Sequence, residues 1–477
     1  MEQLSHFKKL KTMKNNRTIY VMNTFILLVA IFTLAACNDW IETDDPKGEI
    51  KIEKVYNNEQ TANAAVASIY KDMKNDGLLS GSTNGSSVLF SLYADELDFY
   101  GSTSNNLSMF HTHQLLPSNT LVTSIWANNY RIIYETNLAI EALNNSTNLS
   151  LELKNKLIAE VLFIRAFTHF NLMNVYGKIP YITTSNYQIN RYVYRDEIKI
   201  VYDNIEKDLF QAKDLLVNNV ASTANNRATI YAVSALLSKV YLYQEKWDKV
   251  VSESQGIIQN QNFSFQQPIE NQYKKESKST IFQFSSTING ENTLEGSYFI
   301  INTGPPTRVA LRQDFISQFD PQDKRLQFWT KKVSNTTNTQ SWYIPYKYKE
   351  NANTGSSKEF SIVFGLSEII LMRAEAYLHT NELALAVKEI NIIREKAGLN
   401  PFNSSNPNEI QKELILQRKL ELFTEHGNRW FDLKRWKIAE ETLKPIKSNW
   451  KPRDLILPIP ESELLINTNL NPQNDGY

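Results

Sequence analysis

Cysteine is almost absent: Cys37 is the only one in 477 residues. A single thiol cannot close a disulfide within the chain, and it cannot build a multi-cysteine metal site. A charge bias is absent too. Lys plus Arg and Asp plus Glu both number 51, for a formal net charge of zero. The basic face of a nucleic-acid-binding protein is therefore missing, and no nucleic-acid partner is expected. No Gly-Lys-Ser/Thr phosphate loop and no GxGxxG dinucleotide fingerprint occurs. The segment Gly81-Ser-Thr-Asn-Gly85 has threonine at its centre and lacks the strand–turn–helix setting of a nucleophile elbow. The carboxylates Asp95, Glu96 and Asp98 crowd together, but sequence neighbours point in different directions, unlike a glycosidase pair facing across a cleft. No catalytic residue, enzyme activity or cofactor is expected.

Cys37 itself ends an informative segment. Lys14 and Arg17 precede a 17-residue run from Tyr20 to Ala36 that is largely apolar, and Leu34-Ala35-Ala36 lead into Cys37. Basic residues, an apolar core and small residues before a cysteine form a secretory signal ending in a lipobox. Residues 1–36 are then the signal peptide, and Cys37 is the lipidated first residue of the mature chain. Acyl chains anchor by burying methylene groups, at roughly 0.8 kcal/mol per CH₂. The run also sits at the short limit of the roughly 17–25 residues that span a bilayer, and it contains Asn23 and Thr24. Once lipidated, the chain keeps no thiol for a metal or a nucleophile. The acidic stretch that follows (Asp39, Glu42, Asp44, Asp45) makes residues 37–56 a tether.

From 57 to 477 the pattern indicates one mainly α domain. Apolar residues recur at three and four over about 57–250 and 362–441, as in Leu157, Val161, Ile164, Phe167. Two segments repeat one another: Ser238, Tyr241, Trp247 and Val250 stand at the same spacings as Ala374, Tyr377, Leu383 and Ala386. Small residues for close approach and large ones for the gaps make this a tetratricopeptide (TPR)-like helical hairpin. Glu245-Lys246 and Asn381-Glu382 fall at the turns. Residues 75–120 read as a long Gly/Ser/Asn-rich loop. Residues 260–360 read as irregular, with short β-like runs such as 281–284 and 298–301. The tail 450–477 reads as irregular but packed.

The most distinctive internal stretch runs from Glu421 to Trp436. Gly427 is placed at a helix end. Arg429, Asp432 and Arg435 lie about a turn apart and predict an Arg–Asp–Arg ladder, with Glu421 and Glu425 reaching the arginines across the turn. An acid/base cluster of Glu425, His426 and Asp432 is the alternative, but surrounding aromatics favour a structural ion-pair network. His111 and His113 have a ligand-like spacing but no evident third ligand, so no metal site is expected. The aromatics of the irregular regions are the binding candidates: Phe99, Tyr100, Tyr298, Trp329, Trp342 and Tyr343. Flat rings stack on the C–H faces of sugars, and peptides use the same platforms. Trp126, Trp430 and Trp436 lie in helical patterns and are assigned to packing.

Together, the lipobox, the TPR-like hairpins and the 421–436 motif resemble the SusD/RagB family of Bacteroidetes surface lipoproteins. Further segments agree. Leu157 to Phe167 with Glu160 and Arg165, followed by Tyr176-Gly177-Lys-Ile-Pro180, resembles a family helix and its exit. Asn226-Arg227-Ala228-Thr229 resembles a family helix entry, and Ser367 to Tyr377 a late TPR helix. Leu455-Ile-Leu457-Pro458-Ile459-Pro460, with Glu463-Leu464, Asn469-Leu470, Gln473-Asn474 and Gly476-Tyr477, resembles the C-terminal signature. The resemblance implies a SusD-like α fold with TPR units on one side and loops with short strands on the other. It also implies an outer-membrane lipoprotein facing the cell exterior. Such a protein captures an oligosaccharide or, as in RagB-type members, a peptide, and acts as the lid of a SusC-like TonB-dependent transporter. The family motifs lie in the scaffold and do not specify the ligand.

Overall fold

The computed structural model describes residue 22 and residues 52–217, 224–265 and 268–477. Cys37, the acidic residues after it and almost all of the signal-like run lie outside the described residues. Val55–Tyr477 forms one compact unit. Among the described residues no helix is long and apolar enough to cross a membrane.

The compact unit is mainly α. Helix α1 (Glu59–Asn75) starts where the Asn58 side chain accepts from the Thr61 N–H, satisfying one of the free donors of a first turn. Its buried stripe is Ala62, Val66, Ile69, Tyr70 and Met73. Next come α2 (Ser86–Tyr93), β1 (Leu97–Phe99), α3 (Asn106–Thr112), α4 (Thr120–Asn145) and α5 (Leu151–Tyr176). Helix α5 is buried around nearly its whole circumference from Leu157 to Tyr176, because α4 packs on one side and α6 (Ile198–Leu216) on the other. The expected long loop at 75–120 is therefore only partly a loop. Val88, Leu89, Phe90, Leu92 and Tyr93 are fully buried, and their apolar cluster folds α2 among the polar Ser, Gly and Asn residues.

The two repeats form matching hairpins. The first is α7 (Ile230–Tyr243) and α8 (Trp247–Ile258). The second pairs two of the later helices, α11 (Leu366–His379) and α12 (Leu383–Lys396). At the turns, Glu245 and Asn381 adopt left-handed φ of 57° and 63°. The Lys246 N–H returns to the Tyr241 carbonyl, and the Glu382 N–H to that of Tyr377. Ser238, Val250, Ala374 and Ala386 are fully buried at the helix crossings. The Trp247 ring stacks on His379 with centroids 4.1 Å apart and planes 9° from parallel, joining the hairpins.

Between them lie β2 (Thr280–Phe284), α9 (Leu294–Phe299), β3 (Val309–Leu311), α10 (Lys324–Trp329), β4 (Thr330–Ser334), β5 (Ser341–Pro345) and β6 (Ser361–Gly365). Strands β2 and β6 pair antiparallel, and β1, β3, β5 and β4, in that order, form a second, four-stranded sheet. Helices α13 (Pro407–Glu421) and α14 (Asn428–Arg435) close the helical side.

A candidate ligand ledge on the four-stranded sheet

The register of this sheet sorts the candidate aromatics. Side chains alternate between faces along a strand, and directly opposed residues share a face. Phe99 opposes Val309, Leu97 opposes Leu311, and Leu311 opposes Tyr343. Phe99 and Tyr343 therefore share one face. Asp98 opposes Ala310 and Val333 opposes Trp342, on the other face. Tyr100, next after Phe99, and Arg312, next after Leu311, fall on the Trp342 side. The Tyr100 N–H donates to the Arg308 carbonyl at 2.8 Å and so continues the β1–β3 ladder past its end.

Tyr100 and Trp342 form the ledge. Tyr100 is 40% exposed, Trp342 is half-buried, and the Trp342 side chain lies close enough to the Tyr100 phenol to act on it. Trp342 is held from behind. A Cβ on Gly304 would sit 2.4 Å from the indole ring, so only a glycine lets this backbone lie flat against it. The Gly304 N–H donates to the Ser334 carbonyl at 2.9 Å, fixing the loop along β4.

Beside the ring pair lies a polar floor. Arg312 donates to Asp98 at 2.7 Å and to both oxygens of Asp314 at 3.0 Å. His111 Nε2 stands 3.7 Å from Asp98. Burial works to raise the Asp98 pKa, but the neighbouring His111 ring and the Arg312 charge hold it below the ordinary carboxylate value. Lys447 donates to the Leu92 carbonyl at 2.9 Å. Burial, aided by the Arg312 charge, pushes its pKa down to about 7.

The other candidates sit elsewhere. Trp329 is a correction to the surface-loop expectation: it is fully buried at the end of α10. Its Nε1 donates to the Ile269 carbonyl at 3.3 Å, and Tyr273 meets it edge-on at 5.3 Å. A helix-end tryptophan with its N–H satisfied in the core has no face for a ligand. Tyr298 is 8% exposed and lies under the Arg308 guanidinium, 5.3 Å from the ring centroid. Burial raises its pKa to about 12. Phe99 is covered by the Gly101 backbone, and it and Tyr343 face away from the ledge. His111 and His113 diverge: His113 Nε2 contacts the Tyr93 carbonyl at 2.7 Å in the core. Among the described residues, no three or more His, Cys, Asp or Glu side chains gather as metal ligands.

The 421–436 stretch is a buried ion-pair network, with partners other than those expected. Gly427 has φ of 73° but heads α14, whereas α13 ends before it at Glu421. Asp432 does pair with Arg435 at 2.8 Å, yet its second partner is Arg418 at 2.7 Å. Arg429 turns instead to Asp95, at 2.8 and 2.9 Å. Glu421 meets Arg325 at 3.2 Å and Glu425 meets Lys347, so neither glutamate reaches the motif's arginines. Arg435 also grips Glu375, which accepts from Trp436 Nε1 at 2.7 Å. His426 Nε2 is spent on the Ile362 carbonyl at 2.8 Å, and no acid/base cluster forms. Trp126 and Trp430 are buried as packing residues, while Trp436 is half-buried.

The molecule is a mainly α TPR-like scaffold carrying a small sheet with an exposed aromatic edge. Residues 53–242 match the family described as starch-binding and associating with outer membrane, and residues 273–454 match the SusD family. The chain belongs to the SusD/RagB family. SusD-like protein P2 of Formosa agariphila is 27% identical over 95% of this chain and 99% of its own length. A laminarin-binding SusD-like protein of known structure superposes with a TM-score of 0.74 at 21% identity, covering 88% of this chain and all of the other. Surface glycan-binding protein A from Bacteroides thetaiotaomicron gives a TM-score of 0.74 at 17% identity, with coverage of 88% and 100%.

Proposed function

We propose that this chain is a cell-surface glycan-binding lipoprotein. It is anchored in the outer membrane through Cys37 and serves as the lid of a SusC-like TonB-dependent transporter. The Tyr100–Trp342 ledge carries the binding reading. Two aromatic side chains on one sheet face, with Trp342 backed by the Gly304 backbone, offer flat apolar area beside the Asp98, His111 and Arg312 hydrogen-bonding groups. A sugar has the matching chemistry: apolar C–H faces for the rings and hydroxyls for the polar floor. Rigid backing lowers the ordering cost of binding. The laminarin- and glycan-binding neighbours support a glycan as the ligand class. The family's association with the outer membrane, together with the lipobox ending at Cys37, supports the anchored location. The acidic tether fits delivery to the outer face.

Affinity gels and calorimetry on the chain from residue 38 onward, against polysaccharides including laminarin and against peptides, test the reading. Saturable binding to a polysaccharide without product release is expected. Binding to peptides alone would replace the glycan with a RagB-type ligand. Copurification of a TonB-dependent barrel with the full-length lipoprotein tests the lid role.

A further inference from the structure

Arg308 is an exposed cation with little to hold. Its guanidinium lies 5.3 Å from the Tyr298 ring centroid, and its one hydrogen bond, from Nη1 to the Tyr298 carbonyl, is long at 3.5 Å. A guanidinium has five N–H donors in a rigid fork suited to planar anions, so most of this fork is unspent. Residues 260–360 contain two other arginines, and both are committed. Arg312 is bound to Asp98 and Asp314, and Arg325 to Asp323 and Glu421. Arg308 has no carboxylate partner among the described residues.

Arg308 also adjoins the ledge, since its carbonyl receives the Tyr100 N–H at 2.8 Å. On the far side of the 302–306 loop stands Lys331. Its Nζ is 5.4 Å from the Tyr346 ring centroid and 3.4 Å from Asn302 Oδ1, again without a carboxylate among the described residues. Asn302 is two residues from Gly304, on which Trp342 lies. The nearby acids, Asp98 and Asp314, are both engaged by Arg312. Arg308, Arg312 and Lys331 against Asp98 and Asp314 leave a positive surplus around the ring pair, and Arg308 and Lys331 are held on aromatic rings rather than on counter-ions.

We infer that the ledge takes an anionic glycan, whose units carry carboxylate or sulfate groups, with Arg308 gripping the charged group while Tyr100 and Trp342 stack on the ring beside it. This rests on the ledge being the glycan site. An anion would complete the Arg308 fork with charge-assisted hydrogen bonds, which are roughly twice as strong as neutral ones. Lys331 would add longer-range attraction, screened by salt over about 8–10 Å.

Calorimetry on the full-length protein in detergent, with laminarin as neutral polymer, alginate as carboxylated polymer and carrageenan as sulfated polymer, decides it. One or both charged polymers should bind at least tenfold tighter than laminarin at low salt, and the advantage should shrink as salt rises. Arg308→Gln should erase that advantage while leaving laminarin affinity within about twofold and the circular dichroism spectrum unchanged. The preferred charged polymer separates uronate from sulfate recognition. Equal or tighter laminarin binding, lost in Trp342→Ala, would overturn the inference and leave the ledge in place. An advantage for charged polymers that survives Arg308→Gln would also overturn it. Charged-polymer binding unchanged in Trp342→Ala, or no binding to any of the three, would overturn both the inference and the ledge.

Discussion

Asp95 and Arg429, 334 positions apart in the chain, meet in a two-pronged ion pair at 2.8 and 2.9 Å. Lys419 adds a second cation to the same carboxylate at 2.8 Å. Burial works to raise the Asp95 pKa, but the Arg429 and Lys419 charges outweigh it and hold the carboxyl far below its ordinary range. This contact ties the segment between α2 and β1, which leads directly into the ledge strand, to helices α13 and α14.

Replacing Asp95 by asparagine leaves Arg429 and Lys419 buried against a neutral amide. Removing one partner of a buried pair typically costs about 3–5 kcal/mol. Asp95→Asn is expected to lower the urea unfolding free energy by that order. A loss under about 1 kcal/mol would mean that water or neighbouring groups take over the carboxylate's role.

Local periodicity carried the helical scaffold in the sequence. The TPR spacings of Ser238–Val250 and Ala374–Ala386 survive because each small or large residue answers to its own helix pair. The partners of the 421–436 motif were not legible, since Asp95 and Arg325 come from distant segments and charge alone does not say which opposite charge is near. The ledge was half legible. Trp329 and Trp342 look alike in sequence as aromatics in a polar region. What separates them is that Trp329 ends a short helix, whereas Trp342 sits on a strand whose facing was set by register with β4. Phe99 and Tyr343 fell out for the same reason: a one-residue offset on a strand changes the face. Gly304 left no sequence signal beyond being a glycine.

Trp342→Ala removes the larger ledge ring. Aromatic hot spots are worth at least about 2 kcal/mol, roughly 30-fold in affinity. Glycan affinity is expected to fall by that factor or more, with little change in melting temperature because the ring is half-exposed. Calorimetry paired with thermal unfolding checks it. Unchanged affinity would place the ligand elsewhere.

Gly304→Ala makes no change to any ligand-contacting side chain of the ledge, yet the new methyl carbon would stand 2.4 Å from the Trp342 ring. Real Cβ atoms do not tolerate that approach, so the indole or the loop must shift. Affinity is expected to drop roughly tenfold through lost preorganisation, with altered tryptophan fluorescence in the free protein. Wild-type affinity with unchanged fluorescence would show that the loop yields and the ring does not.

Glu96 offers a prediction in pH. It is buried beside Asp95, and its Oε2 accepts only a long 3.3 Å bond from the Thr424 N–H. Burial, with the like charge of Asp95 added, raises its pKa from 4.5 to about 7. Between those values the folded protein keeps a proton that the unfolded chain has released. Stability therefore falls as pH rises from about 4.5, and the loss is complete above about pH 7, on the order of 3 kcal/mol for a shift of this size. Glu96→Gln removes the titration and keeps the shape. Relative to wild type, the variant is expected to gain stability between pH 5 and pH 8, read as diverging urea midpoints. A difference that stays constant across that interval would mean that Glu96 is already ionised in the folded protein at pH 5, with its charge absorbed by Arg429 or by Lys347, both of which act on it through space.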